Sequence, residues 1–576
     1  MKWLLFGILF LWLCISITTI TERTLCKPEN HVSHQQRWVD SLLQTMTDDQ
    51  KIGQLLMVAA YSNRDEAHYK EIERLITDYH IGGLIFFQGG PARQAILTNR
   101  YQRLAKIPLL ISIDAEWGLG MRLDSTISFP RAMTLGAIGN NQLIYQMGAE
   151  IARQCKRLGI HVNFAPVADV NVNPANPVIG LRSFGENKEL VTEKALAYMQ
   201  GLQQHGIIAT AKHFPGHGDT DTDSHYALPV IKHTRQRIEE IELYPFSKLI
   251  QNGVMSLMVA HLNLPEYDPD PKKPATLSST IVSNLLRRQM GFTGLIFTDA
   301  LNMKGVAANY PAGEADWLAL KAGNDCLLFP MDVPLAVTKI KEAISKGEIA
   351  MEQIEERVKR ILMAKYFAGL SHYRPIPLEN LYQDLNSSQA KALCLQLYEQ
   401  AITVVRNKNN LIPFKKERQL SFASVVIGEK AGNSFQLTLE KYAPFEHFQV
   451  SKSANKRDYE GLLPKLRNKK IVIVGLMELS TTKEVKDNYG ISQASLDFIT
   501  KLSQFTKVIP VVFGNPYSLK FFSDAPYLVC AYENNSEVQT AAAKVLFGAV
   551  NSNAKLPVSA SPTIKAGDGF PVLGMP

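Results

Sequence analysis

A histidine-rich segment contains the residues with the clearest potential for chemistry. It runs from Lys212 to His225 with the sequence KHFPGHGDTDTDSH. Its imidazoles and carboxylates are both common metal ligands, so a metal site has to be considered. The aspartates at 219, 221 and 223 begin like a calcium-binding loop, but its sixth position is Ser224 instead of glycine and its twelfth is Val230 instead of glutamate. We therefore predict no metal and no cofactor.

The same segment offers a carboxylate and an imidazole two residues apart, in Asp223 and His225. An aspartate that accepts a hydrogen bond from one ring nitrogen fixes the tautomer of a histidine, and the other nitrogen can then exchange a proton with a substrate. The connection from 216 to 228 is long and contains Gly216 and Gly218, which favours a loop that can move over a ligand. The pattern predicts an acid/base dyad.

Polar side chains also follow several other predicted strands. They are Asp114, Arg122, Arg182, His261 and Asp299. Each has an ordinary explanation when taken alone, because such an aspartate often caps a helix, an arginine often forms a surface ion pair and a histidine can be a core residue. Their recurrence at one strand end after another favours a pocket for a polyhydroxylated ligand, since sugar hydroxyls need converging charged donors and acceptors.

The elements that must position these residues follow an alternating pattern. Short apolar segments occur at 52–59, 82–87, 108–114, 162–170, 207–214, 254–262, 294–299 and 326–329, with helical periodicity between them. This alternation is typical of parallel strands joined by helices. The eight units predict a TIM-type (β/α)8 barrel over residues 35–370, and catalytic groups in such barrels lie at the carboxyl ends of the strands.

A second α/β region follows the barrel. Residues 371–390 contain Pro375 and Pro377 and are predicted to form a linker. Residues 391–576 are predicted to form a smaller domain with strands at 402–405, 422–427, 470–475, 508–513 and 527–531. None of these strands is followed by a G-x-G-x-x-G motif, which argues against a dinucleotide site. We expect this domain to pack on the barrel.

The N-terminus indicates the compartment. Lys2 is followed by an apolar run over residues 3–17, which has the length of a signal-peptide core and is short for a membrane-spanning helix. We predict a leader over residues 1–25 and an exported protein, periplasmic or associated with the envelope. A lipid anchor on Cys14 or Cys26 remains an open alternative, and any membrane attachment would come from that anchor or from an uncleaved leader.

The composition argues against a nucleic-acid partner. The chain has 576 residues with 62 Lys+Arg and 54 Asp+Glu, which gives a net charge of +8. Spread over this length, that charge is weak compared with a concentrated basic face, and no dense basic tract is present.

These motifs resemble glycoside hydrolase family 3, and within it the β-N-acetylglucosaminidases of peptidoglycan turnover. The hallmark of that group, K-H-F/I-P-G-H-G followed by D-x-H, is matched by residues 212–218 and 223–225. Further matches occur at 46–54, 114–122, 182–185 and 298–303. The resemblance covers about 35–370 and continues more weakly at 401–414 and 547–561, where it implies an αβα sandwich. Trp117 departs from the family, which often has glycine there.

The resemblance implies a retaining hydrolase without a cofactor, acting on N-acetylglucosamine-containing glycans or muropeptides. Asp299 would attack the anomeric carbon, while His225, oriented by Asp223, would protonate the leaving oxygen and then deprotonate water. The non-reducing sugar would be bound by Asp114, Arg122, Arg182, Lys212 and His213, with His261 as a further pocket residue.

Two other functions remain open at this level. The same site could serve a phosphorylase or another family 3 β-glycosidase, because a histidine acid/base does not repel an incoming phosphate. The chain could also be a catalytically inactive glycan-binding protein of the envelope, although it retains Asp223, His225 and Asp299.

Overall fold

The computed structural model describes residues 29–223, 227–415, 421–480 and 485–574. The predicted leader, with Cys14 and Cys26, lies outside the described residues, as does His225. The described chain contains an eight-stranded sheet followed by a six-stranded sheet. None of its described helices combines the length and the apolar character that crossing a membrane requires.

The first sheet is a closed parallel barrel, as predicted. Its strands are β1 (Leu56–Ala60), β2 (Gly83–Phe86), β3 (Leu110–Ile113), β4 (Val162–Asn163), β5 (Ile208–Phe214), β6 (Ser256–Val259), β7 (Leu295–Thr298) and β8 (Leu327–Leu328). Neighbours pair in parallel in the order β7-β6-β5-β4-β3-β2-β1-β8. The Thr298 N–H donates to the Cys326 carbonyl over 3.0 Å and joins the two ends of the sheet. Because all eight strands run in one direction, their carboxyl ends meet at one face.

Helices surround this sheet. They are α1 (Glu29–Thr45), α2 (Asp48–Gln54), α3 (Glu66–Tyr79), α4 (Pro91–Leu104), α5 (Ala132–Gly136), α6 (Asn141–Arg157), α7 (Lys188–Gln204), α8 (Arg235–Glu240), α9 (Leu243–Gln251), α10 (Lys304–Ala307), α11 (Glu314–Ala322), α12 (Val333–Ser345) and α13 (Met351–Phe367), with a π-type helix at Thr280–Gln289. Side-chain caps fix several helix starts: Thr47 and Gln50 form a capping box, and Asn187 accepts from the Leu190 N–H.

Two of the predicted barrel strands differ from the observed ones. The segment 52–59 begins as the last turn of α2, and β1 starts only at Leu56. The segment 162–170 has only two residues in regular pairing, and Pro166 has no N–H with which the ladder could resume. Residues after Pro166 instead run beside the end of β5, where the Ala168 N–H donates to the Lys212 carbonyl over 2.7 Å.

The second domain is a mixed sheet between helices. Its strands are β9 (Thr403–Asn407), β10 (Phe422–Ile427), β11 (Phe445–Val450), β12 (Ile471–Leu476), β13 (Lys507–Val512) and β14 (Tyr527–Cys530). Its helices, with those of the preceding connection, are α14 (Leu381–Leu385), α15 (Ser388–Ala401), α16 (Ser434–Leu439), α17 (Lys456–Glu460), α18 (Leu463–Leu466), α19 (Gln493–Leu502) and α20 (Ser536–Leu546). The sheet order is β11-β10-β12-β13-β14-β9, with β9 antiparallel to β14. We call this unit the sandwich domain.

The sandwich domain packs on the barrel through the carboxyl ends of its central strands. Glu533 follows β14, and its carboxylate accepts hydrogen bonds from the Arg131 N–H over 2.9 Å and the Thr134 hydroxyl over 2.6 Å. The Arg131 guanidinium lies 4.7 Å from the ring centre of Trp117, the residue that departs from the family pattern. The sandwich domain therefore contacts the barrel close to the loop that follows β3.

A second group of contacts crosses the junction beside the segment after β4. The buried Asn171 donates from Nδ2 to the hydroxyl of Tyr517 over 2.9 Å. Glu186 accepts from the N–H and the hydroxyl of Ser559 over 2.9 and 2.6 Å. Leu181 packs in the same hydrophobic cluster as the sandwich core. The segment 171–186 is thus held between the two domains.

Candidate active site

A pocket of about 480 Å³ opens at the carboxyl ends of the barrel strands. This volume lies within the range of roughly 300–1,000 Å³ found for small-molecule sites. Its polar lining consists of Asp114, Glu116, Arg122, Arg182, Lys212, His213, His217 and Asp299 with Tyr61 and Asn302, and apolar side chains complete it. In the described part of the chain, every lining residue belongs to the barrel. Of the predicted site residues, Asp114, Arg122, Arg182, Lys212, His213 and Asp299 therefore converge.

Alternating charges form the base of the pocket. Lys212, which is 2% exposed, donates to Asp114 over 2.7 Å and lies 2.9 Å from a carboxylate oxygen of Glu116. Arg122 donates to the second Asp114 oxygen over 2.5 Å. Arg182 forms a bidentate pair with Glu116, with N–O distances of 2.6 and 3.0 Å. Each charge has an opposite neighbour, which fixes these long side chains before any ligand arrives.

These pairs control the ionisation of the two carboxyls. Burial raises the pKa of Asp114, but the charges of Lys212 and Arg122 outweigh this effect and hold the pKa at about 2. Burial likewise opposes ionisation of Glu116, and the charges of Arg182 and Lys212 bring its pKa well below the ordinary value. Both groups are carboxylates near neutral pH and can accept hydrogen bonds from sugar hydroxyls.

A fully buried carboxylate, Asp169, holds two histidines in place. It accepts from Nδ1 of His213 over 2.7 Å and from the His217 N–H over 2.6 Å. Nε2 of His213 lies 3.2 Å from the Arg182 guanidinium. His213 thus connects Asp169, which lies behind the pocket, to the charged residues at the bottom of the pocket. The His213 ring is oriented from both sides.

His217 is a second histidine of the pocket wall, and it is 1% exposed. Its Nδ1 lies 2.8 Å from the hydroxyl of Thr220. Burial, followed by the neighbouring His213, lowers the pKa of His217 to about 4. The ring is therefore neutral near pH 7.

Asp299 follows β7 and faces the pocket. One of its carboxylate oxygens accepts from the Ala300 N–H over 2.8 Å. Burial raises the pKa of Asp299, but the imidazoles of His261 and His213, the Ala300 N–H and Lys212 outweigh this effect, so the pKa lies below its ordinary value. An ionised carboxylate in the pocket has the state that a nucleophile requires.

Aromatic rings form another part of the pocket wall. Tyr61 and Phe87 stack with their ring centres 5.5 Å apart, and Phe329 meets Phe87 edge-on at 5.9 Å. The Arg122 guanidinium lies 4.6 Å from the ring centre of Phe87. Tyr61, Phe87 and Phe329 directly follow β1, β2 and β8, so the barrel topology fixes the position of this wall. Such a wall can pack against the apolar face of a sugar ring.

The loop that begins at Gly216 is anchored on both sides of its undescribed centre. A Cβ at Gly218 would lie 1.8 Å from the Val170 carbonyl oxygen, so only glycine fits at this crossing. Asp219 accepts from His233 over 2.5 Å. Asp223 is half-buried and does not line the 480 Å³ pocket. With His225 outside the described residues, the Asp223–His225 dyad stays a prediction.

His261 does not line the pocket, which corrects the prediction that it contacts the sugar. Its side chain is completely buried. Nδ1 lies 2.6 Å from the Thr276 hydroxyl, and Nε2 lies 3.0 Å from the Ala300 carbonyl oxygen. Both ring nitrogens therefore serve the protein, and the position suits a residue that supports the Asp299–Ala300 turn from below.

Sequence reasoning missed three contributors. Glu116 carries no distinct signal, because its partners Arg182 and Lys212 are distant along the chain. The sequence indicates His217 only as one of several potential metal ligands. Asp169 lies within the apolar segment that is predicted as a strand. An aspartate in such a segment indicates a nearby partner, because an unpaired charge is seldom buried. Among the described residues, no group of three or more histidine, cysteine or acidic side chains is arranged to hold a metal.

The geometry supports sugar chemistry. The bottom of the pocket supplies fixed charged donors and acceptors, one wall is aromatic, and an ionised carboxylate lies in the same pocket. A nucleophile surrounded by such groups can displace a leaving group from a sugar held against the wall.

Comparisons with known proteins agree with this arrangement. The family model described as the N-terminal domain of glycosyl hydrolase family 3 matches residues 47–364. β-Hexosaminidase A of Pseudoalteromonas piscicida is 29% identical over 85% of this chain and 91% of that protein. β-Hexosaminidase LpqI of Mycobacterium tuberculosis is 32% identical over 55% of this chain and 82% of that protein. A solved family 3 β-N-acetylglucosaminidase from Paenibacillus sp. str. FPU-7 superposes with a TM-score of 0.76 at 30% identity, covering 90% of this chain and 100% of that one.

Proposed function

Because this chain belongs to glycosyl hydrolase family 3, we propose that it is an exported exo-β-N-acetylglucosaminidase. It removes terminal β-linked N-acetylglucosamine from glycans, with peptidoglycan fragments as the natural substrate. The observation that carries this proposal is the convergence of Asp299 with the charged base in one pocket. The relatives named β-hexosaminidase and β-N-acetylglucosaminidase support the choice of sugar.

In the proposed reaction each group has one role. The Asp299 carboxylate attacks the anomeric carbon and forms a glycosyl ester while the bond to the leaving oxygen breaks. His225, as imidazolium, gives its proton to that oxygen. Neutral His225 then takes a proton from water, whose oxygen attacks the anomeric carbon and releases Asp299. Two inversions at one carbon retain the β configuration.

The pocket also accounts for exo action. Ile85, Met258 and Leu328 are buried side chains of the barrel interior and contribute to its lining. The packed core closes the inner end of the pocket, which supports entry of a terminal residue from the open face. Asp114 and the cations that fix it then lie where they can bind the hydroxyls of that residue.

Trapping the covalent intermediate tests the nucleophile. A 5-fluoro N-acetylglucosaminyl fluoride should label the peptide that contains Asp299, as read by mass spectrometry of a proteolytic digest. Asp299→Asn should remain unlabelled, and Asp114→Asn should show slower labelling at Asp299. A label on another carboxylate would remove Asp299 from this role.

Leaving-group dependence tests the proton donor. His225→Gly should slow hydrolysis of aryl N-acetylglucosaminides most when the leaving phenol is weakly acidic, because such phenols need a proton. Equal losses for strongly and weakly acidic phenols would indicate that His225 only binds the sugar.

Substrate comparison tests the specificity. We expect aryl β-N-acetylglucosaminide to be cleaved with a higher kcat/KM than aryl β-glucoside, and a muropeptide to release free N-acetylglucosamine. The same product should form with and without phosphate. Appearance of a sugar 1-phosphate would identify a phosphorylase, and preference for the glucoside would reject the proposed sugar.

A further inference from the structure

The net charge of the chain is confined to one domain. Residues 1–390 contain 39 Lys+Arg and 39 Asp+Glu, whereas residues 391–576 contain 23 and 15, so the entire excess of +8 lies in the second part. The catalytic barrel has no net charge of its own. An excess of one sign on a domain that contributes no described residue to the pocket points to a separate electrostatic role.

Part of this excess surrounds a groove of about 640 Å³ on the sandwich surface. Its two walls are residues 467–471, before and at the start of β12, and residues 503–507, before and at the start of β13. We call it the basic groove, because Arg467, Lys469, Lys470 and Lys507 all line it.

Within the described part of the chain, most of these cations have no carboxylate partner. Lys469 pairs with Glu446 of β11. Among the described residues, no carboxylate lies within 4.0 Å of Arg467, Lys470 or Lys507, and all three are exposed. The Arg467 guanidinium instead lies 5.6 Å from the ring centre of Phe505. Three unneutralised cations in one concave surface repel one another, and a bound anion would remove that repulsion.

The backbone that carries these cations is well fixed. The Thr506 hydroxyl donates to the Lys469 carbonyl over 2.6 Å, and the Lys470 N–H donates to the Ser421 hydroxyl over 3.0 Å. Ile471 and Lys507 are direct partners in the parallel ladder. Lys470 and Lys507 therefore lie at the starts of two adjacent strands, so the spacing of their backbones is set by the sheet, and Arg467 follows the short helix that precedes β12.

We propose that the basic groove binds a linear polyanion bearing phosphate or carboxylate groups. A chain fits a concave surface with cations on both walls, and the polar side chains of Asn468, Ser503 and Gln504 add hydrogen-bonding groups to the lining. A bilayer surface is flat and would contact the rims alone. Phe505 lies beneath a guanidinium and is half-buried, which does not suit a residue that inserts into lipid.

A polyanion at this position would leave the active site open. Tyr517 and Glu533, which contact the barrel, follow the carboxyl ends of β13 and β14. The basic groove lies at the amino ends, and a six-residue strand spans ~20 Å. Binding there would hold the enzyme on an anionic polymer with its pocket directed elsewhere.

Anisotropy of fluorescently labelled inorganic polyphosphate tests the proposal on the whole mature protein. The variant Arg467→Gln/Lys470→Gln/Lys507→Gln should bind at least ~10-fold more weakly than the wild type. The slope of log K against log salt should change from about −2 toward zero, since each neutralised anionic group contributes about −0.7 for a flexible polyanion. The matched control Lys156→Gln/Lys272→Gln/Lys346→Gln removes three exposed barrel lysines and should bind like the wild type.

Further arms identify the ligand. Polygalacturonate replaces phosphate by carboxylate and separates the two sources of negative charge; groove-dependent binding of either polymer supports the proposal. An equal loss of polymer affinity in both triple variants would overturn the proposal. It would also be overturned if neither polymer bound and vesicles with 30% phosphatidylglycerol bound through the groove. Hydrolysis of an aryl N-acetylglucosaminide should be unchanged in all variants, so this result is independent of the proposed function.

Discussion

At the scale of single residues, Lys212 is the centre of the active site. One ammonium group neutralises two carboxylates, Asp114 and Glu116, that would otherwise be buried beside each other with less compensation. Removing one member of a buried charge cluster leaves the others uncompensated and typically costs about 3–5 kcal/mol. This residue therefore supports binding and folding together.

We predict that Lys212→Met lowers kcat/KM for an aryl N-acetylglucosaminide by at least ~100-fold, because Asp114 and Glu116 lose their shared partner and shift from the binding geometry. The pKa of Asp114 should rise, so the acidic limb of the kcat/KM profile should move to higher pH. Lys194→Met is the control, because Lys194 is equally buried but bonds to a backbone carbonyl and Asn141. An unchanged acidic limb in Lys212→Met would contradict the assignment.

The lowered pKa of His217 leads to a second prediction, which concerns the stability of the fold. Its folded pKa of about 4 lies below the ordinary value of 6.5, so between these pH values the unfolded chain binds a proton that the folded chain does not. The free energy of unfolding should then fall by about 1.4 kcal/mol for each unit of decreasing pH in this window. Urea unfolding at pH 7 and 5 should show a loss about 2 kcal/mol larger in the wild type than in His217→Asn. Equal losses would mean that His217 is protonated in the folded protein.

At the scale of elements, the face opposite the pocket holds the barrel together. The fully buried Asp325, just before β8, accepts from the Ile296 N–H over 2.8 Å and from Arg360 of α13 over 2.9 Å. It also pairs with Arg287 of the π-type helix. One carboxylate thus joins a strand and two helices at the amino ends of the strands.

We predict that Asp325→Asn lowers the free energy of unfolding by about 3–5 kcal/mol, since two partly buried arginines lose their counter-charge. The KM for an aryl N-acetylglucosaminide should stay within a factor of about two, because Asp325 lies at the end of the barrel away from the pocket. Thermal unfolding and initial rates measure the two effects. A large rise in KM without loss of stability would contradict this division of roles.

The sequence predicted the elements well where apolar segments are continuous, and less well where they are not. β10 was predicted at its observed bounds because all six of its residues are buried. β11 was missed because it is an edge strand whose residues are mostly half-buried or exposed, so it has no apolar run. Six of the predicted site residues line the pocket. Asp114, Lys212, His213 and Asp299 lie at or directly after strand ends, whereas Arg122 and Arg182 belong to the connections after β3 and β4. His261 also follows a strand, but its side chain lies beneath the pocket. Whether a side chain at such a position points into the pocket or beneath it depends on local turns, which residue spacing does not specify.

At the scale of the whole molecule, the sandwich domain supports the segment that carries Arg182. Asn171, Leu181 and Glu186 of this segment all contact it. Arg182 follows Leu181 directly and bonds to Glu116 in the pocket. The sandwich domain therefore influences the site through the position of the segment.

We predict that Tyr517→Phe raises the KM for an aryl N-acetylglucosaminide several-fold with little change in kcat. The buried Asn171 amide loses its hydroxyl partner, which costs about 1–3 kcal/mol and loosens the segment. Tyr527→Phe is the control, since Tyr527 is also a buried tyrosine of the sandwich domain but lies at the start of β14, away from the junction. If both variants raised KM equally, the effect would reflect general destabilisation of the sandwich domain.

The stack of Trp117 and Arg131 gives the molecule a built-in optical reporter. The described chain contains three tryptophans, and Trp117 alone lies at the junction, through the arginine whose N–H donates to Glu533. A guanidinium over an indole ring changes its emission, so separation of the two domains should be visible as a fluorescence change before the barrel unfolds. A light signal from one native side chain thus distinguishes opening of the junction from global unfolding without an added label.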